Sequence, residues 1–406
     1  MKQYDLIVVG GGMAGVAAAV SGAREGLSVL LIERSGCLGG AMANSLVYPF
    51  MQYETRDGKL LSAGIFVEML ERKKSYGNAS WEYFKCVFDD MVTQANVDVL
   101  FHAAVFETKT EDRRIKSVSV ATRSGVSEYE AGYFIDCSGD GELIAMAGCD
   151  YQLGRESDGL SQPMTTCFRV CGVDVEQYKR ESAMLQEKYR EWQAANKITN
   201  PRENILAFYG YGDGIMHFNT TRIIRHNPVD PVELSRAEML ARKQVVEMMA
   251  FFRETSKAFE NATLISIASD IGVRESRKLK GVHILTAEEL LSCRDFEDTI
   301  ALGNYDIDIH NPSGTGTTIK HIPVGQYYKI PYRCLLPKEY DNMLVAGRCL
   351  SATHEAHSSV RIMPICACLG EAAGTAAALA NQTTGNVQTV DVQRLRARLQ
   401  ENGAAV

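Results

Sequence analysis

Apolar residues fall along this chain first as short unbroken runs and later as helical stripes. Residues 4–9 (YDLIVV) and 27–32 are compact apolar runs of the kind that buried parallel strands show. The Ala-rich stretch 13–24 between them predicts a helix. Further on, 64–74 and 81–94 read as helices and 97–110 as one strand. Residues 114–136 read as a hairpin turning at Ser124–Gly125. Residues 162–175 alternate like a strand, and 178–195 is an amphipathic helix. The helix at 230–254 starts with Asp230 as cap, Pro231 in the first position and Glu233 closing a capping box. Its face of Leu234, Ala237, Ala241, Val245, Met248 and Phe252 reads as core. A last apolar strand, 343–346, precedes a helix that opens at Pro364 and is rich in small residues from Gly370 to Ala378. The polar tail beyond Gln382 predicts a surface helix. Strands and helices alternating in this way indicate an α/β fold.

Composition narrows the class. The 406 residues are 46% hydrophobic and 23% charged, which suits a folded protein of two or three domains and excludes collagen, coiled coil and disorder. A net charge of -7 argues against a nucleic-acid partner, which needs a concentrated basic face. No run approaches the ~20 apolar residues of a membrane span. The apolar N-terminus is broken by glycines and reads as fold rather than as a signal peptide. Eleven cysteines without a CxxC pair predict reduced thiols and a cytoplasmic location. His354 and His357 lack a third ligand cluster, so no metal site is expected.

Between the first two apolar runs lies GGGMAG. Gly10, Gly12 and Gly15 satisfy G-x-G-x-x-G, and Glu33 ends the second run about 20 residues later. Gly10 permits the turn, Gly12 lets a pyrophosphate approach the backbone, and Gly15 lets helix and strand pack closely. Met13 and Ala14 open the helix, whose amino end favours phosphate. Glu33 is placed to bond ribose hydroxyls, and an acid there disfavours a 2′-phosphate. Strand, turn, helix, strand and acid in register identify a dinucleotide site, the alternative being a glycine-rich turn that binds nothing.

The segment after Glu33, Arg34 through Gly39, Gly40, Ala41 and Met42, resembles the GG-containing stretch of FAD-dependent oxidoreductases in the glutathione-reductase superfamily. The turn at Ser138, Gly139 and Asp140 is similar to their second conserved turn, and Gly347–Arg348 followed by the small-residue helix is similar to the element that closes over the flavin. Motifs GVRESR (272–277), GNYDIDIH (303–310) and VAGRCLSATHEAHSSVR (345–361) resemble those of a broad bacterial family of FAD-dependent oxidoreductases, distantly like fumarate-reductase flavoproteins. The resemblance implies FAD as cofactor and a Rossmann-like FAD-binding domain split in sequence. That domain spans 1–150 plus 336–406 with a helical insertion at about 45–95, and a second α+β substrate or cap domain spans 151–335. It also implies Val105 as a backbone partner of adenine, and the helix start at Met363 and Ile365, with Arg361, at the flavin.

Only one dinucleotide fingerprint and no CxxxxC redox pair are present. A small-molecule substrate and an unidentified electron donor or acceptor are therefore expected to exchange electrons with the flavin. The leading expectation is hydride transfer between flavin N5 and a small polar metabolite. The alternative is an electron-transfer subunit serving a partner protein. Candidate catalytic residues are His357 or His310 as proton carrier, Arg361 as cation at the flavin, and His354 and Arg274 nearby, with Tyr327 and Tyr328 shaping the pocket. His354, His357 and Arg361 are placed on a loop before the closing helix. Structural readings stand beside these: a histidine bonding backbone, an Arg274–Glu275 ion pair, Asp306 and Asp308 facing solvent. An oligomer is compatible with the sequence.

Overall fold

The computed structural model describes residues 3–77 and 80–406. Its largest sheet begins with β1 (Gln3–Val9), parallel to β2 (Val29–Ile32), which pairs in turn with the short β3 (Asp98–Leu100). An antiparallel meander follows, β4 (Ala104–Glu111), β5 (Arg114–Thr122) and β6 (Gly125–Asp136). The last residues of β6 return beside β1 in parallel, and β7 (Met343–Val345), from far along the chain, adds in parallel to Phe134–Asp136. The order is β3-β2-β1-β6-β5-β4, with β7 on β6.

Alternation along these strands divides the core. Leu6, Val8, Val29, Leu31, Ile135 and Leu344 face α1 (Met13–Arg24), whereas Ile7, Val9, Leu30, Ile32, Phe134 and Met343 bury the opposite face. Beyond the first sheet, a four-stranded antiparallel sheet (Thr263–Ile267, Phe168–Cys171, Met216–Phe218, Ala207–Tyr209) packs its own core under Val175–Ala194 and α2 (Pro231–Thr255). Phe168 stacks on Phe218, and Phe252 on Phe259.

The C-terminal part holds α3 (His354–Val360) and α4 (Met363–Gln382). By length and composition α4 could span a membrane, yet 94% of its most apolar window is buried inside the protein. Its small residues explain how. A Cβ on Gly370 would lie 2.0 Å from the Ala14 carbonyl oxygen, and one on Gly374 would lie 2.2 Å from that of Ala18. α4 therefore lies backbone to backbone against α1, and any side chain at these positions would part them.

Three sequence expectations change. The strand expected at 97–110 is two strands, interrupted at His102, whose φ of 53° turns the chain so that its N–H meets the Ser35 carbonyl. Asp230 caps α2 by accepting from the Val232 and Glu233 amides, but Glu233 reaches back to the Asn227 N–H instead of closing a box. The segment carrying His354 and His357 is helical, not loop. Thr353 caps it through the Ala356 N–H.

Candidate active site

The elements converge on a cleft at the carboxyl ends of β1, β6 and β7. Gly10, Gly12, Met13, Ala14, Glu33, Arg34, Gly39, Gly40 and Ala41 line one wall. Ser138, Gly139, Asp140, Gly347, Arg348, Arg361 and Met363 line the other. An adjoining pocket shares Arg34 and Asp140 and extends the cleft to Val105 and Phe106.

The glycines separate into two kinds. A Cβ on Gly15 would lie 1.8 Å from the Gly10 carbonyl oxygen, and one on Gly10 would lie 2.6 Å from that of Cys137, so packing alone demands both. A Cβ on Gly12 would meet only Gly40 Cα at 3.8 Å. Its bareness serves the cleft, not the protein interior. Gly12 is also the N-cap of α1 and Ile362 that of α4, and neither offers a capping side chain. Two helix starts thus present unpaired N–H groups and positive dipole ends to one cleft, as an anion-bearing ligand requires. Glu33 is buried, its carboxylate accepting from Gly11 N–H at 2.6 Å and Ser35 N–H at 2.7 Å, which fixes it at the cleft wall with acceptor capacity to spare. These residues fit an elongated dinucleotide. They offer it glycine backbone and helix amides for a pyrophosphate, Glu33 for a ribose, and Val105 at one end.

Other residues brace the walls. Arg348 donates to Asp140 at 2.8 Å and to Ser276 at 3.2 Å. Burial pushes the Asp140 carboxyl up, but Arg348, Ser276 and Arg34 outweigh it and hold it below the ordinary carboxylate range. Met42 and Ile365 are fully buried and do not line the cleft, since the helical turns they occupy aim them into the core.

At the α4 end the cleft meets a cluster of buried and half-buried polar side chains, the polar chamber. Arg361 lines the cleft and donates to Gln162 Oε1 at 3.4 Å. Arg274 donates to the Pro163 carbonyl at 2.6 Å and to Thr165 Oγ1 at 2.5 Å, not to Glu275. Burial and the neighbouring charges of Arg361, Arg202 and Arg222 pull the Arg274 pKa down to about 9. Asp308 faces inward, accepting from the Tyr305 hydroxyl at 3.0 Å, whereas Asp306 pairs with exposed His321. His310 Nδ1 lies 3.2 Å from Arg222 Nη2, and its Nε2 lies 3.4 Å from Asp308. A guanidinium can only donate, so Nδ1 accepts and Nε2 carries the hydrogen toward Asp308. Burial and Arg274 lower the His310 pKa to about 3, so the ring is neutral and its tautomer locked.

The remaining candidates lie outside this chamber. His357 is fully buried, its Nε2 held 2.7 Å from the Arg348 carbonyl, and burial keeps it neutral. It is a brace between α3 and the Gly347–Arg348 turn. His354 bonds buried Glu275 at 2.8 Å, and Glu275 also pairs with buried Lys278. Tyr328 is sealed on Ser359, and Tyr327 meets Lys59 near the surface. Sequence reasoning missed Gln162, Arg202 and Arg222, which lie in separate segments and in no motif; it also set Asp308 aside as solvent-facing and gave Tyr305 no role, although both lie in GNYDIDIH.

Comparison with known proteins agrees with this geometry. The sequence profile of the FAD dependent oxidoreductase family matches residues 5–399. The chain is 25% identical over 200 residues to the digeranylgeranylglycerophospholipid reductase of Methanospirillum hungatei, a match covering 44% of this chain and 48% of that protein. It is 31% identical over 85 residues to the mitochondrial dihydrolipoyl dehydrogenase of Schizosaccharomyces pombe, covering 18% of this chain and 17% of that one. The matches thus span half or less of these relatives' length. Among solved structures, a geranylgeranyl bacteriochlorophyll reductase-like protein from Thermoplasma acidophilum superposes with a TM-score of 0.49 at 14% identity, over 100% of this chain and 85% of that one. With nearly its whole length matched by one profile, a cleft built for a dinucleotide and one G-x-G-x-x-G turn at its base, the chain belongs to the FAD dependent oxidoreductase family.

Proposed function

We propose that the protein exchanges a hydride equivalent between FAD and a small polar metabolite bound in the chamber beside Arg361. The observation that carries this reading is the double placement of Arg361: it lines the cofactor cleft and also bonds Gln162 in the chamber wall. FAD, when bound, supplies the two-electron chemistry that no side chain here provides. The chain's own residues orient the substrate and manage its proton. Arg361 and Arg274 orient polar groups by charge-assisted hydrogen bonds. Tyr305 holds a proton at its hydroxyl oxygen. Burial and Asp308 push that phenol's pKa above its ordinary value, so it is protonated at neutral pH. Asp308 is kept ionised by His310, Arg361 and Tyr305 despite burial, and so fixes the phenol's orientation. The proton-carrying role thus passes from His357 and His310 to Tyr305. We extend the same reading to membership of the glutathione-reductase superfamily, supported by the antiparallel meander β4-β5-β6, whose last strand ends between parallel β1 and β7.

The test is an anaerobic screen of metabolites against FAD-loaded protein, read by loss of the flavin's visible absorbance. A substrate that bleaches wild type, but bleaches Tyr305→Phe about 100-fold more slowly, supports the reading. Bleaching by a separate redox protein and by no metabolite would overturn it.

A further inference from the structure

Buried polar atoms without a partner are uncommon in folded proteins, and a group of them together calls for a ligand. Among the described residues seven of the sixteen such atoms lie on five side chains of this region: Gln162 Nε2, Arg202 Nη1, Arg361 Nε, Arg169 Nε and Nη2, and both ring nitrogens of His217. Arg169 and His217 are cross-strand partners in the four-stranded sheet. The chain itself connects them to the rest: Arg274 donates to Thr165 Oγ1 at 2.5 Å, and Thr165, buried Cys167 and Arg169 follow at alternate positions of one segment. The guanidinium and amide atoms in this set are all N–H donors. Only His217, neutral because burial and Arg169 lower its pKa to about 3, also offers a lone pair. The missing complement is therefore rich in acceptors.

The charges agree. Five guanidinium groups, of Arg169, Arg202, Arg222, Arg274 and Arg361, meet three carboxylates. Glu82 lies on Arg169 at 3.0 Å but is shared with Lys85, Glu203 lies on Arg222 at 3.1 Å, and Asp308 is within the field of Arg361. Glu275 is already committed to Lys278 and His354. At least two of the five guanidinium charges are left over. On the far side Tyr48 and Tyr211 pack on His217, with ring centroids 5.8 and 5.5 Å away, and under the Arg169 guanidinium at 5.3 and 6.0 Å, which holds both side chains in place.

We propose that the substrate is a small organic acid, held through carboxylate oxygens by Arg274 and Arg361 on one side and by Arg169 and His217 on the other. This rests on the functional reading above and narrows its substrate to an anion. Binding the acid would satisfy the unpartnered donors and neutralise the surplus charge in one event.

The test is calorimetric titration of FAD-loaded protein with succinate and benzoate, against succinamide and benzamide as uncharged counterparts and sulfate as an inorganic anion, with perturbation of the flavin spectrum as a second readout. The expected result is that at least one acid binds about ten-fold or more tightly than its amide and than sulfate. Arg274→Gln and Arg169→Gln should each weaken that acid by about ten-fold, with Arg274→Lys retaining more affinity than Arg274→Gln. Flavin content and melting temperature establish that each variant is folded. Equal binding of acid and amide, sulfate binding as tightly as either acid, or no binding of any acid would overturn the proposal. The two claims fail separately. A neutral metabolite that bleaches the flavin sinks the anion assignment alone, whereas acid binding without any metabolite-driven bleaching sinks the redox reading alone.

Discussion

Replacing Glu275 with glutamine should destabilise the protein sharply, and the cost can be worked from the structure. Glu275 and Lys278 have no exposed side-chain surface, and their contact is a direct ion pair. With glutamine there, Lys278 keeps neutral acceptors, the new amide oxygen and the Gly154 carbonyl at 2.9 Å, but loses its buried counter-charge. An ammonium so placed gives up its proton. From an ordinary pKa of 10.5, neutralisation at pH 7 costs about 5 kcal/mol at about 1.4 kcal/mol per unit. Breaking buried pairs generally costs about 3–5 kcal/mol, so the two routes agree. The sign with pH follows. In the variant the unfolded chain binds the Lys278 proton and the folded one does not, so its stability rises with pH toward 10.5. The deficit relative to wild type should shrink to about 1 kcal/mol near pH 10. Wild type behaves oppositely at the acid end. Burial raises Glu275, but His354 and Lys278 outweigh it and bring its pKa to about 2, so its contribution is present above pH 4.5 and lost toward pH 2. Urea denaturation of FAD-loaded protein, followed by tryptophan and flavin fluorescence, measures the loss. Glu275→Gln combined with Lys278→Met should regain about 2 kcal/mol or more, because no charge is then left unpaired. A single variant within about 1 kcal/mol of wild type, or a double variant no better than the single, would refute this reasoning.

Other substitutions test other parts. Gly370→Val, whose Cβ would sit 2.0 Å from the Ala14 carbonyl oxygen, should force α4 off α1 and yield protein with little bound flavin and a lower melting temperature. Flavin content equal to wild type would contradict the close packing. Glu33→Ala strips acceptors from the Gly11 and Ser35 amides at about 1–3 kcal/mol each, and should weaken FAD binding by about ten-fold or more in a fluorescence titration, with Glu33→Gln intermediate. Glu371 is buried beneath the Ile65 N–H, and burial raises its pKa from 4.5 to about 7. The folded state holds its proton longer than the unfolded one, so wild-type stability falls as pH rises from 4.5 to 7. Glu371→Gln should therefore stabilise at pH 8, by at most about 3 kcal/mol, and change little at pH 4. Equal melting-temperature shifts at both pH values would count against it.

Much of the cofactor half was readable because its signals are local. The run YDLIVV, the spaced glycines and Glu33 lie within one β-α-β unit and form a recognisable pattern there, Gly11 and Glu33 bonding 22 positions apart, although the packing that demands Gly10 comes from distant Cys137. Pro364 and the small residues of α4 carried the later element for the same reason. The substrate half was less legible. His357 looks catalytic in sequence, yet its burial depends on the Arg348 carbonyl and on packing that no periodicity encodes. The helix holding it spans only His354–Val360, too short for an amphipathic stripe, although Thr353 was a usable start signal. Arg222 and Gln162 sit in irregular segments and acquire meaning only when the fold sets them beside His310 and Arg361. The turn at His102 had no cue, because a left-handed histidine is set by its Ser35 contact rather than by its own preference.

The central claim is that one continuous cleft, from Val105 past Gly12 to Arg361, holds the dinucleotide. A crystal structure of the protein with FAD tests it most directly. The account predicts density for adenine beside Val105, the pyrophosphate over Gly12 and the start of α1, and the ring system against Met363 and Arg361. Density elsewhere, or a cleft closed by side chains at saturating FAD, would contradict it.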